Sequence, residues 1–354
     1  MNNGNAANGK WRLPAEWEEQ DFVQLTWPHK DTDWRPILDE ITATYVRMAK
    51  EIARRERLLI VAPQPEEALA AIRRAAGEHV MENITAAACP TDDTWARDHA
   101  FISLTDGRRR RLLDFRFNGW GDKFEAAKDN AINRHLHDSG AVSGEYADHN
   151  DFVLEGGAIE SDGRGTVFTT TGCLLAPHRN QPMDRQGIED YLQKTLHAGR
   201  IVWIDHGQLT GDDTDGHIDT LVRVAPDDTL LYVGCDDTAD EQYAELHAME
   251  GQLRSLATAD GRPYRLLRLP MPRPIARDGE RLPATYANFL VVNGAVLYPT
   301  YAQPELDAEA AAVISKAFPG REIVGIDCRS VIVQHGSLHC CTMQYPKIQP
   351  SQLA

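Results

Sequence analysis

Two histidines and two adjacent cysteines lie close together near the end of the chain, in the segment HGSLHCC at positions 335–341. Such residues can bind a metal, form a redox pair, or supply a nucleophile with a proton carrier. A zinc site would need helical spacing or a tight knuckle, whereas this segment follows the strand-like SVIVQ. In a strand, Cys340 and Cys341 would point to opposite faces, so that only one faces a shared pocket. A strained vicinal disulfide and inert buried thiols are the other interpretations.

The densest acidic run, GDDTDGHIDT at positions 211–220, contains His217 and Asp219. It does not fit a calcium loop, because with Gly216 at the sixth position the first and twelfth positions would lack ligands. His217 and Asp219 are two residues apart and would share one face of a strand. They fit a metal pair without an evident third ligand, or a pocket where the acid binds a cation and the histidine moves protons. A solvated polar turn is the third possibility.

Two further polar clusters contain residues that could contact a bound cation. In DDTWARDH, at positions 92–99, Trp95 could form a flat wall and Asp98 could supply an anion. A tryptophan face attracts a cation by ~0.5–2 kcal/mol. In FVLEGGAIE, Glu155 precedes two glycines and could orient a histidine. A surface loop with an ion pair and an exposed bulge are the corresponding structural interpretations.

The charge balance indicates what kind of partner the protein has. The 354 residues include 53 acidic and 37 basic side chains, giving a formal net charge of -16. This balance argues against nucleic acid or an anionic membrane as the main partner and suits a cationic ligand. It also suits a protein whose acidic surface serves only solubility.

The cysteines and the N-terminus predict a cytoplasmic protein. The six cysteines are irregularly spaced without a CxxC motif, which is typical of a reducing compartment. The start, MNNGNAANGKWRLP, lacks the apolar region of a signal peptide, and no run reaches the ~18 apolar residues of a membrane span. We expect residues 1–12 to form a flexible tail and residues 13–350 to form one catalytic domain.

Five cycles of strand, strand, helix and strand follow one another along the chain, and this alternation must position the clusters. They begin near Phe22, Arg97, Gly156, His217 and Asn288, and the clusters lie at the starts of cycles. Repetition in structure type without repetition of sequence predicts either a propeller or an ordinary α/β sandwich. In a closed ring, the equivalent strand ends would meet in one pocket.

The motifs together resemble the agmatine deiminase and bacterial peptidyl-arginine deiminase family of guanidine-modifying enzymes. They occur in the family's order over nearly the whole chain: LPAEWE, TWP, TWARD, DFRFNGWG, LEGGAIESDGRGT, CLLAPHRN, DDTDGHID, NFLVVNGAV and HGSLHC. The resemblance implies an α/β fold, a five-bladed ββαβ propeller with its site on the axis. It also implies hydrolysis of agmatine to N-carbamoylputrescine and ammonia, in putrescine biosynthesis, without a metal or organic cofactor.

The resemblance also assigns roles to residues. Cys340, which follows His339 directly, would be the nucleophile, and Cys341 would be structural. Asp98 and Asp219 would bind the guanidinium, each contributing about 4 kcal/mol at ~4 Å and an effective dielectric of ~20, before desolvation. Two further assignments complete the set: His217 would be the general acid and base, and Glu155 would orient it.

Departures from the family pattern leave the substrate's tail open. Thr171 and Gly172 stand where agmatine-specific enzymes have two acids before CLL, and His99 follows the Arg-Asp pair. A peptidyl-arginine deiminase that produces citrulline is therefore an alternative. A metal-dependent amidohydrolase built on His217, Asp219, His335 and His339, and a propeller that binds cations without catalysis, are alternatives of other classes. A homo-oligomer is possible with any of them.

Overall fold

The computed structural model describes residues 10–349, which form a mixed α/β fold of several small sheets. The strands are β1 Gln20–Thr26, β2 Arg57–Ala62, β3 Ile84–Ala88, β4 Ile102–Thr105, β5 Arg110–Arg116, β6 Glu145–Val153, β7 Ile159–Ser161, β8 Thr166–Thr170, β9 Arg200–Ile204, β10 Val222–Ala225, β11 Thr229–Val233, β12 Arg265–Leu269, β13 Ala276–Arg277, β14 Glu280–Arg281, β15 Leu290–Val292, β16 Ala295–Thr300, β17 Glu322–Asp327 and β18 Thr342–Pro346. The helices are α1 Leu38–Ala53, α2 Pro65–Ala76, α3 Glu78–Met81, α4 Ala96–His99, α5 Gly119–Asp122, α6 Ala127–Asp138, α7 Thr171–Leu174, α8 Arg185–Leu196, α9 Tyr243–Ser255 and α10 Pro304–Ala317. Short 3₁₀ turns cover Arg35–Ile37, Gly156–Ala158, Ile218–Thr220, Ile332–Gln334 and His339–Cys341.

Four three-stranded sheets share one pattern, in the orders β4-β5-β6, β7-β8-β9, β10-β11-β12 and β15-β16-β17. In each sheet the first two strands are antiparallel and the third is parallel to the second. The crossover between the parallel strands contains a helix, respectively α6, α8, α9 and α10. The predicted alternation of strands and helices therefore corresponds to four copies of one ββαβ unit.

A fifth sheet, β18-β1-β2-β3, joins the two ends of the chain. Strand β18 runs antiparallel to β1, with Thr342 opposite Leu25, and β1 is parallel to β2. Helix α1 provides the crossover, so this sheet repeats the ββαβ pattern with the C-terminal strand in first place. The pairing brings the segment before β18, which contains Cys340, next to the beginning of the chain.

Helix α1 and strand β2 illustrate why these residues adopt these elements. Ile41, Tyr45, Met48 and Ile52 recur at helical spacing on α1 and are all buried. Strand β2, RLLIVA, is buried at every position after its first residue, as expected for a strand covered on both faces. Each fully buried Leu, Ile or Val side chain contributes about 1.5–3 kcal/mol to folding.

A short turn precedes the first strand of every unit. Helix α4 precedes β4, and the 3₁₀ turns Gly156–Ala158, Ile218–Thr220 and His339–Cys341 precede β7, β10 and β18. A turn around Asn288 precedes β15. The polar clusters found in the sequence lie in these turns, and several of the turns contact one another.

The expectation that His217 with Asp219, and Cys340 with Cys341, lie in strands was wrong. The backbone N–H of Leu221 donates to Ile218 instead of a neighbouring strand, and Thr220 Oγ1 donates to the His217 carbonyl. Likewise, Thr342 Oγ1 donates to the His339 carbonyl. Local hydrogen bonds from the threonine hydroxyls to backbone carbonyls thus compete with the strand ladder and favour the turns.

The expected tail, residues 1–12, lies mostly outside the described residues. Arg12, at its end, exchanges two backbone hydrogen bonds with Thr105. Within residues 10–349, no helix is both long enough and apolar enough to cross a membrane.

Candidate active site

A cavity of about 280 Å³ opens where the turns meet. Its walls come from Asp33, Asp93, Trp95, Asp98, Trp120, Phe124, residues 211–214, residues 334–336 and Cys340. Of the predicted site residues, Cys340, Asp98 and Trp95 line this cavity directly. His217, Asp219 and Glu155 are completely buried beside it.

Gly157 lies at the point where three functional groups come closest. A Cβ atom at this position would stand 2.6 Å from His217 Nδ1, 2.8 Å from Asp98 Oδ1 and 3.3 Å from Asp219 Oδ1. Any side chain here would force these groups apart, so only glycine permits the arrangement. The second glycine of the sequence LEGG therefore has a steric role in bringing the predicted residues together.

Asp98, in α4, is bound by neutral donors. Trp120 Nε1 donates to Oδ2 (3.0 Å) and the Gly157 backbone N–H donates to Oδ1 (3.1 Å). Burial raises the pKa of Asp98 to about 6, and the charge of His217 opposes this rise while Asp219 adds to it. The Asp98 carboxylate is therefore poorly stabilised in the absence of a cationic ligand.

Asp219 is bound by a histidine. His339 Nδ1 donates to Asp219 Oδ2 (2.6 Å). Burial alone would raise the pKa of Asp219, but the hydrogen bond and charge of His339, together with His217, hold it below its ordinary value. Among the described residues, Oδ1 of Asp219 has no hydrogen-bond partner.

His217 lies near the carboxylates of Asp98 and Glu155. Of these two acids, Glu155 is fixed by an arginine. His217 Nδ1 is 3.6 Å from Asp98 Oδ1. Burial would lower the pKa of His217, but Asp98 and then Cys173 and Glu155 hold it well above its ordinary value. Glu155 Oε1 accepts from the buried Arg179 (2.8 Å). No hydrogen-bond partner within residues 10–349 reaches its Oε2 or either ring nitrogen of His217.

Cys340 lies in the turn that Asn288 holds. Asn288 Oδ1 accepts from the backbone N–H groups of His339 (2.9 Å) and Cys340 (3.3 Å), and lies 3.4 Å from the Cys340 sulfur. The sulfur is 3.9 Å from Asp219 Oδ2. Burial raises the pKa of Cys340 well above its ordinary value, and Asp219 and Asp98 add to this effect. The thiol is thus protonated until a positive charge arrives.

The two adjacent cysteines have different surroundings, as the sequence predicted, although they are not in a strand. Cys341 is completely buried, and its thiol contacts the Ser337 carbonyl (3.4 Å). Burial raises its pKa to about 12, which the Tyr45 hydroxyl moderates. Cys341 is not among the residues that line the cavity.

The side chains of Trp95 and His99, four residues apart, have different surroundings. The Trp95 ring lies against Gly336, where a Cβ would stand 2.2 Å from the ring, and its Nε1 donates to Asp93 Oδ2 (2.9 Å). Trp95 thereby forms a wall of the cavity. His99 Nε2 instead contacts Thr26 Oγ1 (3.1 Å), and burial lowers its pKa to about 3. His99 does not line the cavity.

The four residues of the metal-dependent alternative do not form one ligand set. His335 Nδ1 is bound to the Gly211 carbonyl (2.7 Å). Both ring nitrogens of His339 lie on carboxylates, those of Asp219 and Glu16. These histidine atoms are therefore committed to other partners, and the donor set does not fit a shared ion.

Sequence reasoning gave no role to several residues that hold the site. Trp120, Arg179 and Glu16 lie in the motifs DFRFNGWG, CLLAPHRN and LPAEWE, and Asn288 begins a predicted cycle. Their positions in these motifs are the only feature of the sequence that points to a role for them. Their contacts with Asp98, Glu155, His339 and Cys340 come from distant parts of the chain.

The chain is similar to proteins of one family over nearly its whole length. A family model of Porphyromonas-type peptidyl-arginine deiminases matches residues 12–346. The agmatine deiminase of Pseudomonas fluorescens (strain SBW25) is 33% identical, over 95% of each chain. A Porphyromonas gingivalis crystal structure, provisionally named an arginine deiminase, superposes with a TM-score of 0.90 and 48% identity, covering 96% of this chain and 99% of that one. The structure of C. jejuni agmatine deiminase with substrate bound superposes with a TM-score of 0.88 and 34% identity, covering 96% and 98%.

These matches span all of the turns that form the cavity, and they agree with the family that the motifs indicated. The chain belongs to the Porphyromonas-type peptidyl-arginine deiminase family.

Proposed function

We propose that the protein hydrolyses agmatine to N-carbamoylputrescine and ammonia through a covalent intermediate on Cys340. The observation that carries this proposal is a group of buried polar atoms without a hydrogen-bond partner in the described chain: Asp219 Oδ1, Glu155 Oε2 and both His217 ring nitrogens. Buried polar atoms are nearly always paired, so unpaired ones beside a thiol indicate a polar ligand. A guanidinium supplies the N–H donors that these oxygens lack.

Binding would place the planar cation between Asp98 and Asp219, with Trp95 as a wall. Guanidinium N–H groups form short, charge-assisted hydrogen bonds to carboxylates. The same positive charge would complete the stabilisation of the Asp98 carboxylate. It would also favour the thiolate of Cys340, whose pKa is high in the empty site because of burial and the two acids. Substrate would therefore activate its own nucleophile.

In the first half-reaction, the charge of the bound substrate favours loss of the Cys340 proton to solvent, and the thiolate sulfur bonds to the central guanidinium carbon. His217 already carries a proton, because the neighbouring carboxylates hold its pKa well above the ordinary value. His217 then gives this proton to the departing nitrogen, and the carbon–nitrogen bond breaks to release ammonia. General acid catalysis of this kind contributes about 10² to 10⁴-fold. A positively charged amidino-thioether remains on Cys340.

In the second half-reaction, water attacks the amidino carbon and gives a proton to His217. The carbon–sulfur bond breaks as the hydroxyl proton of the intermediate passes to the sulfur. The neutral ureido product leaves, the Cys340 thiol is restored, and His217 keeps the proton taken from water for the next cycle. In this step Glu155, which Arg179 fixes through Oε1, would support the protonated form of His217 through its second oxygen. The cycle needs water and no further reactant.

The mouth of the cavity favours an amine at the far end of the substrate. Besides Asp98, four acids line it, at positions 33, 93, 212 and 213, and within the described residues no lysine or arginine does. Asp213 is half-buried, and burial followed by Asp212 raises the pKa of its carboxyl. An ammonium group near Asp213 would stabilise the ionised form of its carboxyl, whereas a carboxylate on the substrate would be repelled. We therefore propose that Asp213 binds the agmatine amine.

Deimination of arginine within a peptide is the second candidate. It is favoured by the peptidyl-arginine deiminase name of the matching family model. A peptide's C-terminal carboxylate would have to be accepted at an acidic mouth. Internal arginines of a peptide, which lack that charge, would meet less repulsion.

The five ββαβ units would form a closed five-bladed propeller with the site on its axis. Two observations support this arrangement. Strand β18 joins the last part of the chain to β1, and the turns before the first strands of the units contact one another. A cytoplasmic location and a homo-oligomer remain predictions.

A parallel turnover assay tests the proposed function. Purified protein is incubated with agmatine, free arginine, a C-terminal-arginine peptide and an internal-arginine peptide, and ammonia and ureido product are measured. We expect agmatine to be consumed with a kcat/KM at least about 100-fold above the others, because misplacing one buried charge costs several kcal/mol. Faster turnover of a peptide would establish the second candidate. Binding of agmatine without ammonia release would indicate a non-catalytic protein.

Two variants and a chelator control this assay. We expect Cys340→Ser to lose at least about 10⁴-fold in kcat and Cys341→Ser to change it less than about threefold, since only Cys340 lines the cavity. Mass spectrometry of the wild type during turnover should detect the amidino adduct on Cys340. Full turnover by Cys340→Ser would contradict the mechanism, and loss of activity with a chelator would favour the metal-dependent amidohydrolase.

A further inference from the structure

The segment before β1 places Glu16 directly behind the candidate active site. Glu16 Oε2 accepts a hydrogen bond from Arg223 Nη2 (2.7 Å) and lies 2.8 Å from His339 Nε2, which is itself 3.1 Å from Arg223 Nη2. Its other oxygen, Oε1, accepts the backbone N–H of Val291 (2.7 Å). Arg223, His339 and Val291, which are distant in sequence, thus surround one carboxylate whose side chain is only 8% exposed.

His339 connects Glu16 to Asp219. Its Nδ1 donates to Asp219 Oδ2 (2.6 Å), while its Nε2 lies on Glu16. The ring is buried with both nitrogens bound, so its orientation is fixed from two sides. Because His339 occupies Oδ2 of Asp219, the other oxygen, Oδ1, is the one left facing Gly157 and the candidate guanidinium position.

Arg223 completes this cluster. Its Nε donates to Glu160 Oε1 (2.6 Å) and its Nη1 donates to the Ala287 carbonyl (3.0 Å). Glu16, Glu160 and His339 have ligand atoms close enough together to hold a cation. The guanidinium of Arg223 already supplies that cation, so the cluster serves to hold side chains rather than a metal.

We infer that Glu16 is a positioning residue for substrate binding, which acts through His339 to fix Asp219 with one oxygen turned toward the substrate. The inference rests on the proposed function, and it adds a residue from the start of the chain that touches no reacting atom. Loss of the Glu16 carboxylate would let the His339 ring turn, and Asp219 would lose its fixed orientation. Binding of the guanidinium would then weaken more than the chemical steps.

Kinetic constants and binding constants of Glu16→Gln separate this role from a general structural one. We expect KM for agmatine to rise about tenfold with kcat changed less than about threefold, as for other residues that orient a ligand-binding group. In a Cys340→Ser background, which binds without turnover, calorimetry should give the same tenfold rise in Kd. The matched control is Glu19→Gln, because Glu19 is exposed and pairs with Lys347 at the surface.

Chemical rescue provides a second readout that does not depend on one variant. Glu16 lines a cavity of about 70 Å³ that shares no lining residue with the active-site cavity. In Glu16→Ala, formate could enter this space and bind Arg223 and His339 in place of the missing carboxylate. We expect formate to lower the raised KM by at least about threefold, while chloride at equal ionic strength does not.

The outcomes distinguish failure of this inference from failure of the proposed function. If wild-type protein and the Cys340→Ser variant neither convert nor bind agmatine, both are overturned. If the wild type converts agmatine but Glu16→Gln keeps its KM and Kd, only the inference is overturned. A fall in melting temperature with unchanged KM, or an equal loss in kcat without formate rescue, would also overturn it.

Discussion

The two carboxylates that flank the candidate guanidinium position differ in what lies behind them. Asp98 accepts hydrogen bonds from the neutral indole of Trp120 and the backbone of Gly157. Asp219 accepts from His339, which is itself bound by Glu16. Accordingly, the pKa of Asp98 is raised to about 6 by burial, whereas the pKa of Asp219 is held below its ordinary value despite burial, chiefly by His339.

The difference suggests a division of labour between the two acids. Asp219 is kept ionised by the protein and can receive a cation at any neutral pH. Asp98 is ionised at neutral pH at a cost, because burial raises its pKa to about 6, and the arriving cation would complete the stabilisation of its carboxylate. Two buried carboxylates close together cannot both be ionised without compensating charge. His217 supplies positive charge to both acids, Arg223 adds to it at Asp219, and we expect the substrate to supply the rest.

The largest expected effect comes from removing either charge. Asp219→Asn should lower kcat/KM for agmatine by about 10³-fold or more, and Asp98→Asn by about 10² to 10³-fold, because each deletes a charge-assisted contact to the guanidinium. Asp219→Asn should be the more harmful, since it also removes the acceptor of His339. Steady-state kinetics at pH 8 measures kcat/KM of both variants. Asn is the replacement in each because it has nearly the same shape as Asp and lacks its charge. If kcat/KM falls no more in Asp219→Asn than in Asp98→Asn, the proposed difference between the two acids is wrong.

A second effect concerns the distance between the two acids. Gly157→Ala places a Cβ within 2.6–3.3 Å of His217, Asp98 and Asp219. We expect kcat/KM to fall about 10²-fold, because displacement of reacting groups by about 1 Å costs that much. Gly251→Ala is the matched control, since a Cβ there meets no atom within 4 Å. Unchanged kinetics in Gly157→Ala would show that the convergence at this point is not required.

The pH dependence of kcat/KM should report Asp98. Because the pKa of Asp98 is about 6 in the empty site, kcat/KM should fall by up to tenfold per pH unit below about pH 6, as the carboxylate becomes protonated. Trp120→Phe removes a donor that lowers this pKa, so the acid limb should move to higher pH, by up to about one unit. His339 does not contact Asp98, and its replacement should change the magnitude of kcat/KM without this shift. If the acid limb of the kcat/KM profile stays at the same pH in Trp120→Phe, its assignment to Asp98 is wrong.

The smallest expected effect is on stability, and it has opposite signs at the two acids. The folded-state pKa of Asp98 lies above its unfolded value, so the ionised form destabilises the fold at pH 8, and Asp98→Asn should raise the melting temperature by a few degrees. The pKa of Asp219 lies below its unfolded value, so its ionised form stabilises the fold above about pH 4, and Asp219→Asn should lower the melting temperature. Thermal scans at pH 8 and pH 5 test both signs. At pH 5 the gain from Asp98→Asn should shrink, because the wild-type Asp98 is then mostly protonated.

Part of the fold is predictable from the amino-acid sequence alone. The alternation of strands and helices predicted the repeated units, because buried strands and amphipathic helices leave clear periodic patterns, as in α1 and β2. The sequence predicts strands around His217 and Cys340, and a bulge is one interpretation at Glu155, whereas the structure has turns at these positions. The turn that contains Cys340 depends on hydrogen bonds to a distant side chain: Asn288 Oδ1, 52 positions away, accepts the backbone N–H of Cys340. No local sequence pattern contains that information.

Taken by itself, the sequence determined the kinds of chemistry available: a thiol, an imidazole, several acids and an acidic overall charge, arranged in motifs of one family. It also determined that the acids and the thiol begin successive structural units. Only the tertiary structure decided which oxygen of Asp219 faces the ligand, that Glu16 stands behind His339, and that two chemically identical carboxylates have opposite pKa shifts. The physical reason is that the ionisation of a buried group depends on burial and on the charges nearest in space. For Asp219 the strongest of these comes from His339, which is 120 positions away in the sequence.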